Sequence, residues 1–216
     1  AMVGEIPKHS HLLREGKEDS EDVQIELREL VVEPGAPPIN LKLHKGEILG
    51  LTGLIGAGKS ELAQVLFGLR PPVSGEIIID GETVLPESVA DAVERGIFYV
   101  PEDRNNNAVV PMFTVRQNMT LPFLRVFDWL GIMKVKSEQR RAKQMIKEMG
   151  IKTESEEAEL DSLSGGNQQK VIVARWLLEK YNLVILDEPF QGVDIRSRHD
   201  IGQYLRQTIG EKSAII

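Results

Sequence analysis

The sequence has 216 residues, of which 41% are hydrophobic and 27% charged, and these proportions are typical of a globular domain. Its length suits one domain, or one domain that carries an inserted subdomain. No apolar run approaches the roughly 18 residues that a membrane-spanning helix needs, which disfavours an integral membrane protein. Cysteine is absent, which excludes disulfides, thiolate metal sites and cysteine nucleophiles. The net charge of −7 disfavours nucleic acid as the main partner.

The first 21 residues are polar and rich in charged side chains, and we expect them to form a linker or a disordered tail left from cloning. After them, alternating apolar and polar residues over 23–30 and 39–43 predict an antiparallel pair of strands. Further strands are predicted over 75–81 and 97–100, with a helix over 88–95 between them.

A complete phosphate-binding motif lies between the first strands and the rest of the chain, with the sequence Gly53-Leu54-Ile55-Gly56-Ala57-Gly58-Lys59-Ser60. Its glycines allow the backbone to curl, so that successive N–H groups converge on phosphate oxygens. Lys59 supplies a positive charge for the β- and γ-phosphates, and Ser60 offers a hydroxyl to Mg²⁺. The apolar strand predicted over 47–52 and the helix predicted over 60–67 are the expected setting, so the motif predicts a nucleoside triphosphate site.

Two carboxylates follow a run of four apolar residues, Leu183–Leu186. Such a run predicts a buried parallel strand, which would place Asp187 and Glu188 at the ligand-binding edge of the sheet. In combination with the phosphate loop, Asp187 is a candidate Mg²⁺ ligand and Glu188 a candidate acceptor for a proton from an attacking water.

A third motif, Leu163-Ser164-Gly165-Gly166-Asn167-Gln168-Gln169-Lys170, opens another predicted helix. A serine and two glycines at a helix N-terminus can form an anion site from backbone N–H groups and a hydroxyl. The alternative is an ordinary N-capped helix with Ser164 as the cap. A second γ-phosphate receptor is useful when two such chains face each other head to tail, because each then closes the nucleotide site of the other.

The stretch from about 114 to 162 predicts a helical insert, with a helix over 137–149 that ends at Gly150. Its aromatic segment, 123–133, fits either core packing or an apolar surface for a helix of a membrane partner. Burial of both Phe127 and Trp129 would exclude the second option. Beyond residue 166 we expect a helix to Leu178, a helix over 196–208 and the start of a strand over 213–216, cut before its end.

The order of these motifs, followed by Gly192-Val193-Asp194, resembles that of the ATP-binding domains of ABC transporters from about residue 22 onward. Three sequence segments, 45–50, 101–104 and 163–171, resemble a narrower group. This group is the second, C-terminal cassette of the two that are fused in bacterial monosaccharide importers of the ribose, xylose and galactose type. The resemblance implies an α/β P-loop NTPase fold of the ABC cassette type. That fold has a mixed sheet, an antiparallel β subdomain and an inserted helical subdomain, here over 22–216 and truncated at its C-terminus.

The resemblance also assigns roles to individual residues. ATP phosphates would be bound by Gly53, Leu54, Ile55, Gly56, Ala57, Gly58, Lys59, Ser60 and Glu61. Ser60 and Asp187 would hold Mg²⁺, and Glu188 would be the catalytic base or water-positioning carboxylate. A signature segment would reach the nucleotide held by the partner cassette, through Leu163, Ser164, Gly165, Gly166 and Asn167. Asp194 would lie in the D-loop, which communicates across the dimer, and Glu102 would stand at the Q-loop position.

Four features depart from the family pattern. Glu102 stands where a glutamine is usual, and Gln191 replaces an expected arginine. The segment 31–35 lacks the aromatic residue that would stack on adenine. The switch histidine is expected beyond Ile216. These departures leave hydrolysis at this site open, whereas the intact phosphate loop at 53–60 favours ATP binding.

The resemblance implies an ATP-driven motor of a sugar importer, with ATP and Mg²⁺ as its cofactors. Its partners would be the N-terminal cassette of the same polypeptide or a second copy, transmembrane permease subunits and, indirectly, a periplasmic or lipid-anchored sugar-binding protein. It would lie peripherally at the cytoplasmic face of the bacterial membrane and bind no nucleic acid. The alternatives are a degenerate half that binds ATP without hydrolysing it and a soluble ABC ATPase acting on ribosomes or DNA. A generic GTPase or kinase would not explain residues 163–170, and the cargo could be ribose, xylose, galactose or a nucleoside.

Overall fold

The computed structural model describes residues 22–54, 56–103, 108–210 and 213–215. The predicted linker or tail over 1–21 lies outside these residues, as does Ile55 of the phosphate loop. In chain order the strands are β1 (Val23–Val31), β2 (Ile39–His44), β3 (Ile48–Leu49), β4 (Ser74–Ile79), β5 (Glu82–Thr83), β6 (Ile97–Val100), β7 (Asp128–Trp129), β8 (Ile132–Met133), β9 (Leu183–Leu186) and β10 (Ser213–Ile215). The helices are α1 (Lys59–Leu66), α2 (Val89–Glu94), α3 (Val115–Thr120), α4 (Leu124–Phe127), α5 (Val135–Glu148), α6 (Gly165–Leu177) and α7 (Ile195–Thr208).

The first four-stranded sheet is antiparallel, in the order β2-β1-β4-β5. Its central strand β1 buries Ile25 and Leu27 and exposes Arg28, as the alternating sequence predicts. The predicted antiparallel pairing of β1 with β2 is confirmed, with Glu26 opposite Lys42.

The second four-stranded sheet is parallel, in the order β3-β10-β9-β6. All four residues of β6 and of β9 are buried, which explains their uninterrupted apolar sequences. Strand β3 is shorter than the predicted 47–52 because its described ladder to β10 contains only Ile48 and Leu49. The parallel arrangement brings the carboxyl ends of β3, β6 and β9 to the same edge of the sheet.

An aromatic cluster joins this sheet to the helices that cover it. The ring of Phe98 on β6 lies 5.3 Å from those of Trp176 on α6 and Phe123. The ring of Phe67, which follows α1, lies 5.7 Å from Trp176 and 5.6 Å from Tyr99. Strand β6, helix α6, the end of α1 and the segment around Phe123 therefore share one continuous core.

The middle of the chain holds α3, α4 and α5. Thr114 begins α3 with a capping box, in which its hydroxyl accepts from Gln117 N–H and the Gln117 side chain accepts from Thr114 N–H. The helix predicted over 137–149 is present as α5, followed by Gly150 in the left-handed conformation (φ 58°). The sequence did not predict the hairpin formed by β7 and β8. Among the described residues, no helix combines the length and apolar character needed to span a bilayer.

Candidate active site

The phosphate loop turns sharply between β3 and α1 at two glycines in the left-handed conformation, Gly56 (φ 79°) and Gly58 (φ 82°). Gly58 is also the N-cap residue of α1. Because its φ angle is positive, a residue with a side chain would be strained at this position. Ala57 N–H donates to the carbonyl of Leu54 at 3.1 Å and closes the turn. Among the described residues of the loop, Gly53, Leu54, Gly56 and Ala57 are exposed, so the loop is open to a ligand.

Lys59 folds back across the loop. Its ammonium group donates to the carbonyl oxygens of Gly53 at 3.1 Å and Leu54 at 3.3 Å. Ser60 and Glu61 follow in the first turn of α1, and both are half-buried. The lysine charge is therefore held at the mouth of the loop, where anionic phosphates would approach the helix N-terminus.

A small cavity of about 150 Å³ separates this lysine from the end of β9. Lys59, Asp187 and Glu188 all line it, together with Leu51, Ala63, Ile185, Leu186, Pro189 and Phe190. Lys59 precedes Asp187 by 128 positions in the sequence and Glu188 by 129, yet the three side chains line one cavity. This proximity is what the shared edge of the sheet predicts.

Tyr99 on β6 reaches the same place. Its hydroxyl donates to Asp187 Oδ2 at 3.1 Å. Burial, and then the negative charge of Asp187, raise the pKa of Tyr99, which keeps its hydroxyl protonated as a donor. No sequence motif identifies this residue. Its only signal is register, because Tyr99 is opposite Ile185 and Asp187 lies two residues further on the same face.

Glu188 is exposed and adopts a left-handed conformation (φ 44°) that is uncommon for glutamate. Its carbonyl accepts from Gln191 N–H at 3.1 Å, which forms a turn directly after β9. Gln191 also donates through Nε2 to Glu102 Oε1 at 3.4 Å. The two residues that depart from the family pattern are thus in contact with each other.

The donor set suits Mg²⁺ bound together with a nucleotide. The described part of the chain has no group of three or more histidine, aspartate or glutamate side chains that could hold a metal ion. Mg²⁺ commonly takes one or two carboxylates and draws its other ligands from water and substrate phosphates. Asp187, whose Oδ2 is oriented by Tyr99, provides such a carboxylate next to Lys59.

The signature segment opens α6 on a different part of the surface. Ser164 is the N-cap residue, and its hydroxyl is not used to cap the helix. It accepts instead from Asn167 Nδ2 at 2.9 Å, while Asn167 Oδ1 accepts from Lys152 N–H at 2.9 Å. Leu163 is buried beneath it and Gly165 is half-buried. Ser164 is therefore exposed, and the amide of Asn167 orients its hydroxyl.

Asp194 packs directly against the signature segment. It caps α7, accepting from Ser197 N–H at 3.0 Å and from Ser197 Oγ at 2.8 Å. These hydrogen bonds, the backbone one foremost, lower the pKa of Asp194. A methyl group at buried Gly166 would overlap Asp194 Oδ2 and stand 2.6 Å from Ser197 Oγ. Glycine is therefore required at 166 for α6 and the start of α7 to approach this closely.

Ser164, Asn167 and Asp194 line a larger cavity of about 540 Å³, which extends along α7 to the end of α5. Lys170 lies in its wall with only 4% of its side chain exposed. It donates to Asp200 Oδ2 at 2.5 Å and to the carbonyl of Gly150 at 3.1 Å. The signature residues and the phosphate loop line separate cavities, so one chain does not bring Ser164 to Lys59.

Residues 37–191, which include the phosphate loop, the signature segment and both acids after β9, match the family described as ABC transporter. The chain belongs to the ABC transporter family. Over 196 residues it is 39% identical to the arabinose import ATP-binding protein AraG of Mannheimia succiniciproducens, covering 90% of this chain and 39% of that protein. Over 178 residues it is 42% identical to the ribose import ATP-binding protein RbsA of Jannaschia sp., covering 82% of this chain and 34% of that protein. The chain therefore spans between a third and two fifths of the length of these relatives.

Solved ABC cassettes share the fold. The dimeric post-hydrolysis structure of the ATP-binding cassette MJ0796, bound to ADP and Pi, superposes with a TM-score of 0.73 at 23% identity, over 88% of this chain and 86% of that one. The structure of cbiO1 from Clostridium perfringens, part of the ABC transporter complex cbiONQ, gives a TM-score of 0.71 at 24% identity, over 90% and 78% of the two chains. The predicted fold class is confirmed. In the described residues the parallel strands form one sheet, and the antiparallel strands form a second four-stranded sheet and the β7–β8 hairpin.

Proposed function

We propose that this chain is an ATP-binding and ATP-hydrolysing motor domain of an ABC importer for a sugar. The observation that carries the proposal is the convergence of Lys59, Asp187 and Glu188 on one cavity beside the phosphate loop. The names of the two relatives, which are import ATP-binding proteins for arabinose and ribose, support a monosaccharide as the cargo.

In this proposal the phosphate loop and Lys59 bind the β- and γ-phosphates of ATP. Bound Mg²⁺, held by Ser60 and Asp187, would neutralise charge that develops on the phosphates. Glu188 orients the attacking water and accepts its proton, for which its exposed carboxylate beyond β9 is suitably placed. Glu102 faces the same region from the end of β6 through its contact with Gln191.

The signature segment is proposed to complete a nucleotide site on another cassette, either the N-terminal cassette of the same polypeptide or a second copy. Its supporting feature is the exposed Ser164 hydroxyl, held by Asn167 at the start of α6, on a cavity separate from the phosphate loop. The D-loop residue Asp194 would transmit changes at that contact through its packing against Gly166. Permease subunits and a sugar-binding protein would complete the importer, with this domain at the cytoplasmic face of the membrane.

A second candidate function is favoured by one contact. Glu102, at the Q-loop position, adds a negative charge near the triphosphate site and is engaged by Gln191 at 3.4 Å. If this pair takes the place of the glutamine that is usual at the Q-loop position, the domain binds ATP, and its Ser164 serves the site of the other cassette without turnover at Glu188.

One substitution tests the nucleotide site, and a second distinguishes the two functions. Lys59→Ala should abolish binding of ATP to the chain, measured by titration calorimetry, under both. Glu188→Gln in the assembled transporter should lower ATP turnover by about 10²-fold or more if this site hydrolyses ATP, and leave turnover unchanged if it only binds. Glu82→Gln, at an exposed glutamate on β5, is the matched control. Retention of ATP binding by Lys59→Ala would refute the proposed nucleotide site.

A further inference from the structure

Helix α5 has two chemically different faces. Its inner face buries Ala142 and Met145 in the hydrophobic core. Its outer face carries four exposed cations, Lys136, Arg140, Lys143 and Lys147. Their spacings of four, three and four residues place each cation next to the following one on the same side of the helix. The cations therefore form one continuous row, about 16 Å long from the helical rise, which we call the basic stripe.

Acidic side chains near the basic stripe neutralise little of its charge. Lys143 Nζ lies 3.1 Å from Glu156 Oε1, and this carboxylate is itself largely buried. The other three cations of the stripe form no ion pair with any other described residue. The carboxylate of Glu157, one residue further along the chain, is bound to Arg116 instead. Three of the four cations are therefore available to a negatively charged partner, in a chain whose net charge is −7.

We propose that the basic stripe docks an acidic α-helical segment of another protein. Carboxylates at positions i, i+4, i+7 and i+11 of such a helix have the same spacing as the four cations, so the two rows can face each other. Exposed charge pairs contribute little individually, so a row of four supports a weak and salt-sensitive contact. The Glu156 carboxylate already holds the Lys143 side chain, which lowers the entropy cost of ordering this side chain on binding.

The surrounding surface favours a short acidic segment over a nucleic acid or a membrane. Between positions 136 and 147 the exposed residues other than the four cations are Ser137 and Gln144. Neither side chain can stack on a base or insert among lipid chains. The loop after α5, which Glu156 holds against the stripe, exposes further carboxylates, namely Glu154, Glu159 and Asp161. An extended polyanion would reach beyond the stripe to these carboxylates, whose repulsion is screened only over about 8 Å at physiological salt.

The basic stripe is separate from the surfaces assigned above. Trp129 is 60% exposed although Phe127 is buried, so the segment 123–133 still fits an apolar surface for a helix of a membrane partner. The proposed nucleotide site lines a cavity to which no stripe cation contributes. At the other end of the stripe, Lys147 lines the larger cavity that holds Ser164, so a bound segment would lie next to the signature segment there. Docking on the stripe therefore goes beyond the proposed motor function and does not depend on it.

Fluorescence anisotropy of a labelled peptide, measured with the 216-residue chain in the absence of nucleotide, tests the proposal. The probe is an alanine-based helical peptide with glutamates at positions i, i+4, i+7 and i+11. The matched control peptide has the same composition, with its glutamates distributed around the helix. We expect the first peptide to bind about fivefold more tightly or better, because only its carboxylates can meet all the cations at once. Binding should be lost as the salt concentration rises toward about 0.5 M.

Substitutions locate the contact. Arg140→Glu should weaken binding of the first peptide by about tenfold, because an attraction in the middle of the stripe becomes a repulsion. Lys136→Glu should act in the same direction, and glutamate in the first turn of α5 is compatible with the helix dipole. Arg125→Glu is the matched control, because it changes the net charge equally at a side chain that is 96% exposed and lies outside the stripe. It should leave the affinity within about twofold.

The proposal and the motor function fail separately. A chain that binds ATP but neither peptide would refute this proposal alone, and a chain that binds the first peptide but not ATP would refute the motor function alone. Equal affinities for the two peptides, or equal losses in Arg140→Glu and Arg125→Glu, would also overturn the proposal. So would tighter binding of a short single-stranded RNA or of vesicles containing phosphatidylglycerol that Arg140→Glu abolishes, because the stripe would then belong to a nucleic acid or a lipid surface.

Discussion

The hydroxyl of Tyr99 donates to Asp187 Oδ2 at 3.1 Å, and this hydrogen bond links strands β6 and β9 at the edge where the phosphate loop lies. It fixes one carboxylate oxygen of the proposed Mg²⁺ ligand. The affinity for a cation depends on the orientation of the carboxylate that binds it, and hydrogen-bond donors to that carboxylate commonly set the orientation. Tyr99 is therefore a positioning residue and does not itself contact the reacting atoms.

Tyr99→Phe should preserve the aromatic packing with Phe67 and remove only the hydrogen bond. We expect the affinity for ATP to fall by about tenfold when Mg²⁺ is present and to change little in EDTA, because the loss acts through the metal ligand. Titration calorimetry under both conditions measures the difference. Tyr204→Phe, which removes a hydroxyl that donates to Glu148 at 3.0 Å, is the matched control. An equal loss in EDTA would mean that the role of Tyr99 is structural.

Gly166→Ala should destabilise the contact between the signature segment and the D-loop. The added methyl group meets Asp194 and Ser197, whose side chains hold each other in place, so α6 and α7 must move apart. We expect a loss of about 1 to 3 kcal/mol in the free energy of unfolding, measured with urea.

Gly202→Ala provides the control for that substitution. Position 202 lies inside α7, where a methyl group would meet only Arg206 Nη1 at 3.6 Å, so alanine should stabilise the helix by up to about 1 kcal/mol. If both substitutions stabilise the protein, the close approach at Gly166 is not a constraint.

Local sequence patterns were sufficient to predict most of the framework. The alternation in β1 and the apolar run of β9 each reflect the environment of a single strand, and Gly150 lies next to the end of the helix that it follows. The phosphate loop could be found for the same reason, because its chemistry is contained in eight consecutive residues. The proposed ligand roles of these residues, including Glu61 and Glu102, stay predictions.

Features that depend on distant parts of the chain were missed. The contact of Tyr99 with Asp187 joins residues 88 positions apart and depends on the register of two strands, which neither strand encodes alone. The hairpin was missed for a different reason. Its turn is Leu-Gly, which lacks the Asn-Gly or Asp-Gly signal that usually identifies such turns.

Asp200→Asn should destabilise the protein more than Lys170→Met does. Lys170 is almost fully buried, whereas 31% of the Asp200 side chain is exposed. Asparagine at 200 leaves a buried ammonium without a counter-charge, at a cost of about 3 kcal/mol, while methionine at 170 leaves a carboxylate that water can reach, at a cost of about 1 kcal/mol. Urea unfolding of both variants measures the difference, and equal losses would show that the charge of Lys170 is solvated.

Acid should weaken the helical part of the chain through Glu157. This carboxylate binds Arg116 with two hydrogen bonds, of 2.7 and 3.0 Å, and the Arg116 hydrogen bond is the main reason that the pKa of Glu157 lies below its ordinary value of 4.5. The unfolded chain then binds more protons than the folded one just below pH 4.5, so the free energy of unfolding falls as the pH drops through the pKa of the folded state. With 40% of the Glu157 side chain exposed, solvent screening limits the effect to about 1 kcal/mol or less.

Glu157→Gln should therefore lower stability at neutral pH and flatten the fall in stability below pH 4.5, whereas Glu82→Gln, at an exposed glutamate of the antiparallel sheet, should leave the profile as it is. Thermal unfolding followed by circular dichroism between about pH 3 and 7 measures both profiles. An unchanged slope in Glu157→Gln would assign the acid sensitivity to other carboxylates.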